Sequence, residues 1–394
     1  MVDDSPPLQT ANRSFLGPFL LMFLTLCLLS TSPLWGAVRG IYFGGPLTDS
    51  VKVAKVADHL VAAGGNVIVF DVKNRRGDLG YFSSLSIARV IGANGGVSPK
   101  NLRKYIDLLQ RRGIHVVARL TCFEDWKLAQ GRLDLVPLSR TQGDLWRQQG
   151  ELHWVDPSLP AVQDYLLAII GEVVHMGVDE IQLDYLRFPT EGDVGDAVFA
   201  FNPAFMDRDE VITNFVRRVR KVLEGTGVLL SADIFGVIPW GRIADQQSTG
   251  QNMAALLPLL DAISPMLYPS HFYGPFGQME RPVDYPYHLV YEGCRKIAVM
   301  AALHGVVVRP WLQAFSYGVE DFDAGYVVEQ MYGAEDSGAQ GWLLWNMRGR
   351  YQVGLEAMQD WARGKVDSAA VRRRFPAWQE EVGRGELGIV LPTD

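Results

Sequence analysis

The stretch EIQLDYLRF, residues 180–188, decides the fold. Ile181 and Leu183 are apolar, Asp184 interrupts them, and the run is entered from a helix-like segment, Pro160 to Met176, through Gly177. Helices commonly end on a glycine in the left-handed conformation. Parallel strands need a long, usually helical, crossover between them. A short apolar run reached this way is therefore one βα repeat, and the same repeat recurs along the chain. The other strand-like runs are VRGIYFGG (38–45), NVIVFDVKN (66–74), HVVARLTCF (115–123), VLLSADIFG (228–236), AISPMLYPS (262–270), VRPWLQAF (308–315) and GWLLWNM (341–347). Segments of helical period lie between them: Val51 to Ala63, Pro99 to Arg112, Asp209 to Glu224, Met253 to Leu260, Tyr287 to Leu303 and Phe322 to Ser337. Leu355 to Arg363 supplies an eighth helix. Gly64, Gly113, Gly225, Gly305 and Gly338 each stand between a helix and the next strand. The αβ turns are thus short, and the βα loops carry the insertions.

Eight apolar runs, buried on both faces, fit a closed (β/α)₈ TIM barrel, an α/β single domain, better than an open sheet. No G-x-G-x-x-G follows the first run, so a dinucleotide fold has no support. The expected organisation is a leader over 1–37, the barrel over 38–365 and a charged tail over 366–394.

Composition agrees. Of 394 residues, 48% are hydrophobic and 21% charged, enough for a large core and near globular averages. The net charge of −7 and the pI near 5.6 offer no basic footprint for nucleic acid. Ser14 to Val38 follows Arg13 without a charge, and Phe15 to Leu29 is its apolar centre. That pattern reads as an export signal, or as a retained anchor if it is not cleaved at Ser30 or Ser32. The chain is therefore expected to be exported, periplasmic or extracellular, and held at the membrane if the anchor persists. Cys122 and Cys294 alone remain beyond the leader, too few for a disulfide framework. No paired Cys or His spacing suggests zinc, and no cofactor or metal is expected.

In such a barrel, side chains at the C-terminal strand ends face the site. Asp71 ends the second run, Glu124 and Asp125 follow the third, Asp184 ends the fourth and Asp233 ends the fifth. Asp184 and Asp233 interrupt otherwise apolar strands and are the candidate catalytic pair. A mouth carboxylate can equally serve loop amides or a neighbouring Arg or Lys, the plainer role for Asp71, Glu124 and Asp125. No nucleophile-elbow serine is present, and Cys122 has no obvious His partner. Aromatic residues gather in the same loops: Trp126, Trp146, Trp154, Trp240, Tyr268, Phe272, Tyr273 and Trp345. Rings beside carboxylates favour a carbohydrate partner, although aromatics are more often plain packing. Asp71, Lys73 and Arg187 would tune charge or hold hydroxyls, with Trp154, Tyr268, His271, Tyr273 and Trp345 as glycan contacts.

FDVKN, ARLTCFED, WVDP, EIQLDYLRFP, SPMLYPSHF and GWLLWN, taken together over residues 38 to 350, resemble a bacterial glycosyl hydrolase domain family. The resemblance implies a TIM barrel distantly similar to the α-amylase and α-galactosidase types. In those the aspartate ending strand four is the nucleophile, which maps onto Asp184. Their acid/base comes from strand five or six. Strand six offers Tyr268, Ser270 and His271 but no acid, so the role passes to Asp233. Strand seven brings Gln313 where amylase-type enzymes place a third acid, a departure from that mechanism. Asn346, in the strand-eight motif, is a further expected substrate contact.

These readings converge on glycoside hydrolysis by two carboxylates. A non-catalytic polysaccharide-binding or envelope-scaffolding barrel is the alternative. The loops Thr121 to Leu159 and Pro189 to Asp209 far exceed ordinary βα connections and are expected to wall the site. Glu191, Asp193, Asp196 and Asp207 make the second acidic, a pattern read as solvated charge rather than a Ca²⁺ site because it lacks EF-hand spacing.

Overall fold

The computed structural model describes residues 37–95 and 101–373. The expected leader up to residue 36 and the tail beyond residue 373 lie outside them. All eight runs form strands. These are β1 Val38–Phe43, β2 Val67–Lys73, β3 His115–Thr121, β4 Glu180–Asp184, β5 Leu229–Ile234 and β6 Ala262–Pro265, then β7 in two pieces, Val307–Val308 and Trp311–Gln313, and β8 Gly341–Trp345. Every neighbouring pair is parallel, and the order runs from the second piece of β7 through β8 and β1 to β6 and back to the first piece of β7. The two ends of the sheet are one strand, so the barrel closes. A single seventh strand was expected. Pro310, which has no N–H to give to a ladder, parts it. Pairing with β6 resumes at the Met266–Trp311 bridge.

Eight helices alternate with these strands: α1 Ser50–Ala62, α2 Leu102–Gln110, α3 Pro160–Val174, α4 Arg208–Leu223, α5 Met253–Leu256, α6 Pro286–Leu303, α7 Ala324–Asp336 and α8 Gln352–Ala362. Their starts are set locally. Asp49 accepts from the Val51 and Lys52 amides, Asn101 from Lys104, and Asp207 forms a capping box with Glu210, while Pro160 and Pro286 open α3 and α6. The expected helix Met253 to Leu260 is shorter, because Pro258 turns its end into a 3₁₀ segment, Leu257–Leu259. At Gly341 the glycine is obligatory, since a Cβ there would lie 1.9 Å from the Val38 carbonyl oxygen and φ is +146°.

The main apolar core lies between sheet and helices, filled by the outward residues of the strands, such as Ile68, Phe70, Val116, Ala118, Ile181 and Leu183. Inward residues alternate with them. The interior is apolar toward β1 and β2, with Val38, Val67 and Val69, and polar across β3 to β7. At its N-terminal end Glu180 of β4 holds Arg309, which lies between the two pieces of β7, and also accepts from Ser231 of β5 and pairs with His115 of β3 at 3.0 Å. Because β4 and β7 are not sheet neighbours, the Glu180–Arg309 pair spans the interior. Burial works against the Glu180 charge, yet Arg309 and His115 bring its pKa down to about 2.

The two long loops join each other. Leu138–Ser139 pairs antiparallel with Ala197–Val198, and Asp196 accepts from Ser139 Oγ at 2.5 Å and Thr141 N at 2.7 Å. Asp196 and Asp207 are thus engaged within the loops. Among the described residues no group of three or more His, Cys, Asp or Glu is arranged to hold a metal ion.

Candidate active site

At the C-terminal end of the barrel, carboxylates from three strands converge on one arginine. Arg119 of β3 donates through Nη1 to Asp71 Oδ1 of β2 at 2.5 Å, and through Nε at 2.9 Å and Nη2 to Asp184 Oδ2 of β4. Its Nε lies 4.0 Å from Asp233 Oδ2 of β5. Burial opposes the Arg119 charge, but Asp71 and Asp184 leave its pKa raised well above the ordinary value. Arg119 shares inward parity with His115 and Val117, so a charged residue inside an otherwise apolar run was the signal that could have revealed it.

Gln182 lies opposite Ser231 and Leu183 opposite Ala232, which sets Asp184 beside Asp233 on adjoining strands. Asp184 Oδ2 lies 2.9 Å and Asp233 Oδ2 4.0 Å from the same Arg119 Nε, so the two carboxyls face one cation. Asp184 Oδ1 accepts from the Tyr185 amide at 2.6 Å. Tyr185 itself has φ of +48°, a conformation that costs a non-glycine residue about 1–3 kcal/mol and is retained most often at functional sites. Asp233 accepts from Trp311 Nε1 at 2.8 Å and is 1% exposed. Burial, and after it the neighbouring Asp184 charge, raise its pKa well above the carboxylate range. An acid biased toward its neutral form thus lies beside an ion-paired carboxylate.

Aromatic rings frame this cluster. Tyr42 donates to Asp71 Oδ2 at 2.8 Å, its ring lies 4.3 Å from that of Trp345, and Trp345 covers the Arg119 guanidinium at 5.0 Å. The Tyr268 phenol, pushed up by burial and then by Asp233 and Asp184, has no hydrogen-bond partner among the described residues. Tyr273 and Tyr317 stand on loops after β6 and β7, both exposed and near each other.

Several expected substrate contacts are instead engaged with the protein. Lys73, fully buried, binds the Thr121 carbonyl at 2.6 Å and Asp125 at 2.9 Å. Asp125 also caps the short helix Trp126–Gly131. Gln313 accepts from the Ser270 amide and donates to the Phe315 and Tyr317 carbonyls, fastening two mouth loops together. Asn346 donates to the Ala314 carbonyl and accepts from the Arg348 and Arg350 amides. These four hold loops in place rather than offer free donors. Glu124 stands at the rim, 3.7 Å from Arg75, with its pKa raised by burial. His271 is exposed, with Phe315 and Tyr317 nearby. Trp154 is buried, hydrogen-bonded to Gln148, and carries Arg187 on its face at 5.1 Å. Asp71, Asp184, Asp233, Arg187, Tyr268 and Trp345 are the expected residues that the fold does bring to the mouth.

Comparison with known proteins adds a family. Residues 40–351 match the family model described as "Putative glycosyl hydrolase domain". Among solved structures, the glycoside hydrolase domain of PgaB (BpsB) from Bordetella bronchiseptica is similar at 13% identity, covering 83% of this chain and 98% of that one, with a TM-score of 0.60. The catalytic domain of β-amylase from Paenibacillus polymyxa is similar at 14% identity, over 84% and 99%, with a TM-score of 0.52. A hypothetical protein from Ruminiclostridium thermocellum is 32% identical over 49% of this chain and 97% of its own, with a TM-score of 0.44. At such low identities the first two show the barrel fold alone. No curated protein matches the chain.

Proposed function

This chain belongs to the glycosyl hydrolase domain family that its residues 40–351 match, and from that premise we propose that it cleaves a glycosidic bond with Asp184 and Asp233 as its two carboxyls. The observation that carries the reading is the unequal state of two adjacent carboxyls. Asp233 is buried against Trp311, and burial with the Asp184 charge biases it toward its neutral form, while Asp184 is bound to the Arg119 cation. Glycoside hydrolysis needs that division, a proton donor for the leaving oxygen and an anion facing the anomeric carbon. Trp311 occupies Asp233 Oδ1, which leaves Oδ2 to carry the proton. Arg119 orients Asp184 and Asp71 and is a positioning residue. Tyr268 would meet a sugar hydroxyl. The uncharged run Ser14 to Val38 supports action on glycans outside the cytoplasm.

The non-catalytic barrel remains the second reading, favoured by the pairing of both Asp71 and Asp184 with Arg119. Asp233 supports hydrolysis: it is buried, takes a hydrogen bond from Trp311, and lies 4.0 Å from Arg119 where Asp184 is in direct contact. Incubating the full chain and its Asp184→Asn variant with a panel of bacterial and plant polysaccharides, and measuring new reducing ends, decides between them. Release by the parent alone supports hydrolysis. Binding of a glycan without any release would establish the scaffold.

A further inference from the structure

Most mouth cations have a carboxylate at hand. Arg119 has Asp71 and Asp184, Lys73 has Asp125, and Arg75 has Glu124. Arg187 does not. It is 7% exposed, and no carboxylate among the described residues comes within the 4.0 Å of an ion pair. Asp184, Glu124 and Glu191 act on it only from farther away. Its Nη1 donates to the Phe188 carbonyl at 3.2 Å and to Thr190 Oγ1 at 3.1 Å. The opposite edge, Nε with Nη2, makes no hydrogen bond among the described residues, and neither atom is among the fully buried unsatisfied ones. Three rings, Trp154, Tyr185 and Phe235, enclose the guanidinium at 5.1, 5.3 and 5.0 Å.

A cation withdrawn from water without a counter-charge costs free energy, and burial accordingly lowers the pKa of Arg187. The loss is recovered when an anion arrives. The free edge offers two parallel N–H groups, the geometry that takes a carboxylate through both oxygens. A neutral hydroxyl would satisfy a donor but leave the charge unmatched. Location narrows the ligand further. Two of the rings around Arg187 follow the candidate carboxyls in sequence, Tyr185 directly after Asp184 and Phe235 two residues after Asp233, so the guanidinium stands at the same end of the barrel as the proposed bond-cleaving pair.

We propose that Arg187 is the recognition point for a sugar carboxylate, so that the glycan cut by this barrel carries a uronic acid ring next to the scissile bond. The proposal rests on the glycosidase reading above and specifies its substrate class. The carboxylate docks on the Nε and Nη2 edge, and the enclosing rings exclude water from the pair.

The test uses matched oligosaccharides containing glucuronate, galacturonate or mannuronate, each against its carboxyl-reduced counterpart, titrated calorimetrically into the full chain. For at least one pair the acid form should bind about tenfold or more tighter, a preference that weakens as salt is added. Arg187→Gln should abolish the preference, and Arg187→Lys, which keeps charge but loses the fork, should retain only part of it. Melting curves identify any variant that fails to fold, and the salt and reduced-sugar comparisons on the parent chain then still decide. Equal binding of acid and reduced forms, or a preference that survives Arg187→Gln, would overturn the acidic subsite while leaving the glycosidase reading intact. If neither member of any pair binds the folded chain, while neutral polysaccharides are cleaved, the subsite is likewise refuted. If nothing binds and nothing is cleaved, both readings fall.

Discussion

Replacing Asp233 by Asn tests the buried acid through stability rather than turnover. The substitution keeps an oxygen for Trp311 Nε1 and removes only the ability to ionise. A carboxyl whose native pKa stands above its unfolded value of about 3.9 binds its proton more tightly in the folded chain. Folding is then fully supported below the unfolded value, and stability is lost as pH rises toward the native one. Within that window the loss is about 1.4 kcal/mol for each pH unit. In a domain of this size that is about 2 °C of Tm per unit. The burial and the Asp184 charge that raise Asp233 set the sign. Thermal melts of parent and Asp233→Asn from pH 4 to pH 9 give the difference between two chains, in which all other titrating groups cancel to first order. The variant should gain on the parent as pH rises and then hold a constant lead. Parallel curves would refute a raised pKa at Asp233, and a variant that loses ground with pH would reverse the argument.

Other parts of the barrel make their own predictions. Arg309→Met strands the buried Glu180 charge and should cost about 3–5 kcal/mol in urea unfolding, while adding Glu180→Gln should recover much of that loss. Gly341→Ala, forced against the Val38 carbonyl at φ of +146°, should destabilise by more than about 3 kcal/mol or prevent soluble expression. Asp196→Ala unties the two long loops, so limited proteolysis between residues 138 and 145 should accelerate with little change in Tm.

The fold was legible because barrel repeats write themselves twice, in the period of each segment and in the glycine before most of the strands. EIQLDYLRF and its seven counterparts all became strands. What escaped were local effects of proline: Pro310 split the seventh strand and Pro258 shortened a helix, since a missing N–H acts on one hydrogen bond and leaves the hydrophobic pattern unchanged. The site was legible in part. Asp184 and Asp233 stand out as charges in apolar strands, and they do meet. Arg119 carries the same signal in HVVARLTCF, yet an arginine beside apolar residues also reads as a strand edge in water, so only closure of the sheet reveals it as the centre. Lys73, Asp125, Gln313 and Asn346 look like ligand contacts by position. Their bonds to loop backbone and to each other depend on how the loops return, which no spacing encodes.

The most direct test of the central claim separates the two carboxyls by the leaving group. Once the polysaccharide panel has identified a sugar, its natural oligosaccharide and its 2,4-dinitrophenyl glycoside can be given to the parent, Asp184→Asn and Asp233→Asn. A dinitrophenolate departs without a proton, so the acid is dispensable for that substrate alone. The account predicts that Asp184→Asn hydrolyses neither, whereas Asp233→Asn falls about 10²–10⁴-fold on the oligosaccharide and stays near the parent rate on the activated glycoside. Parent-level turnover of the natural oligosaccharide by Asp184→Asn would contradict it.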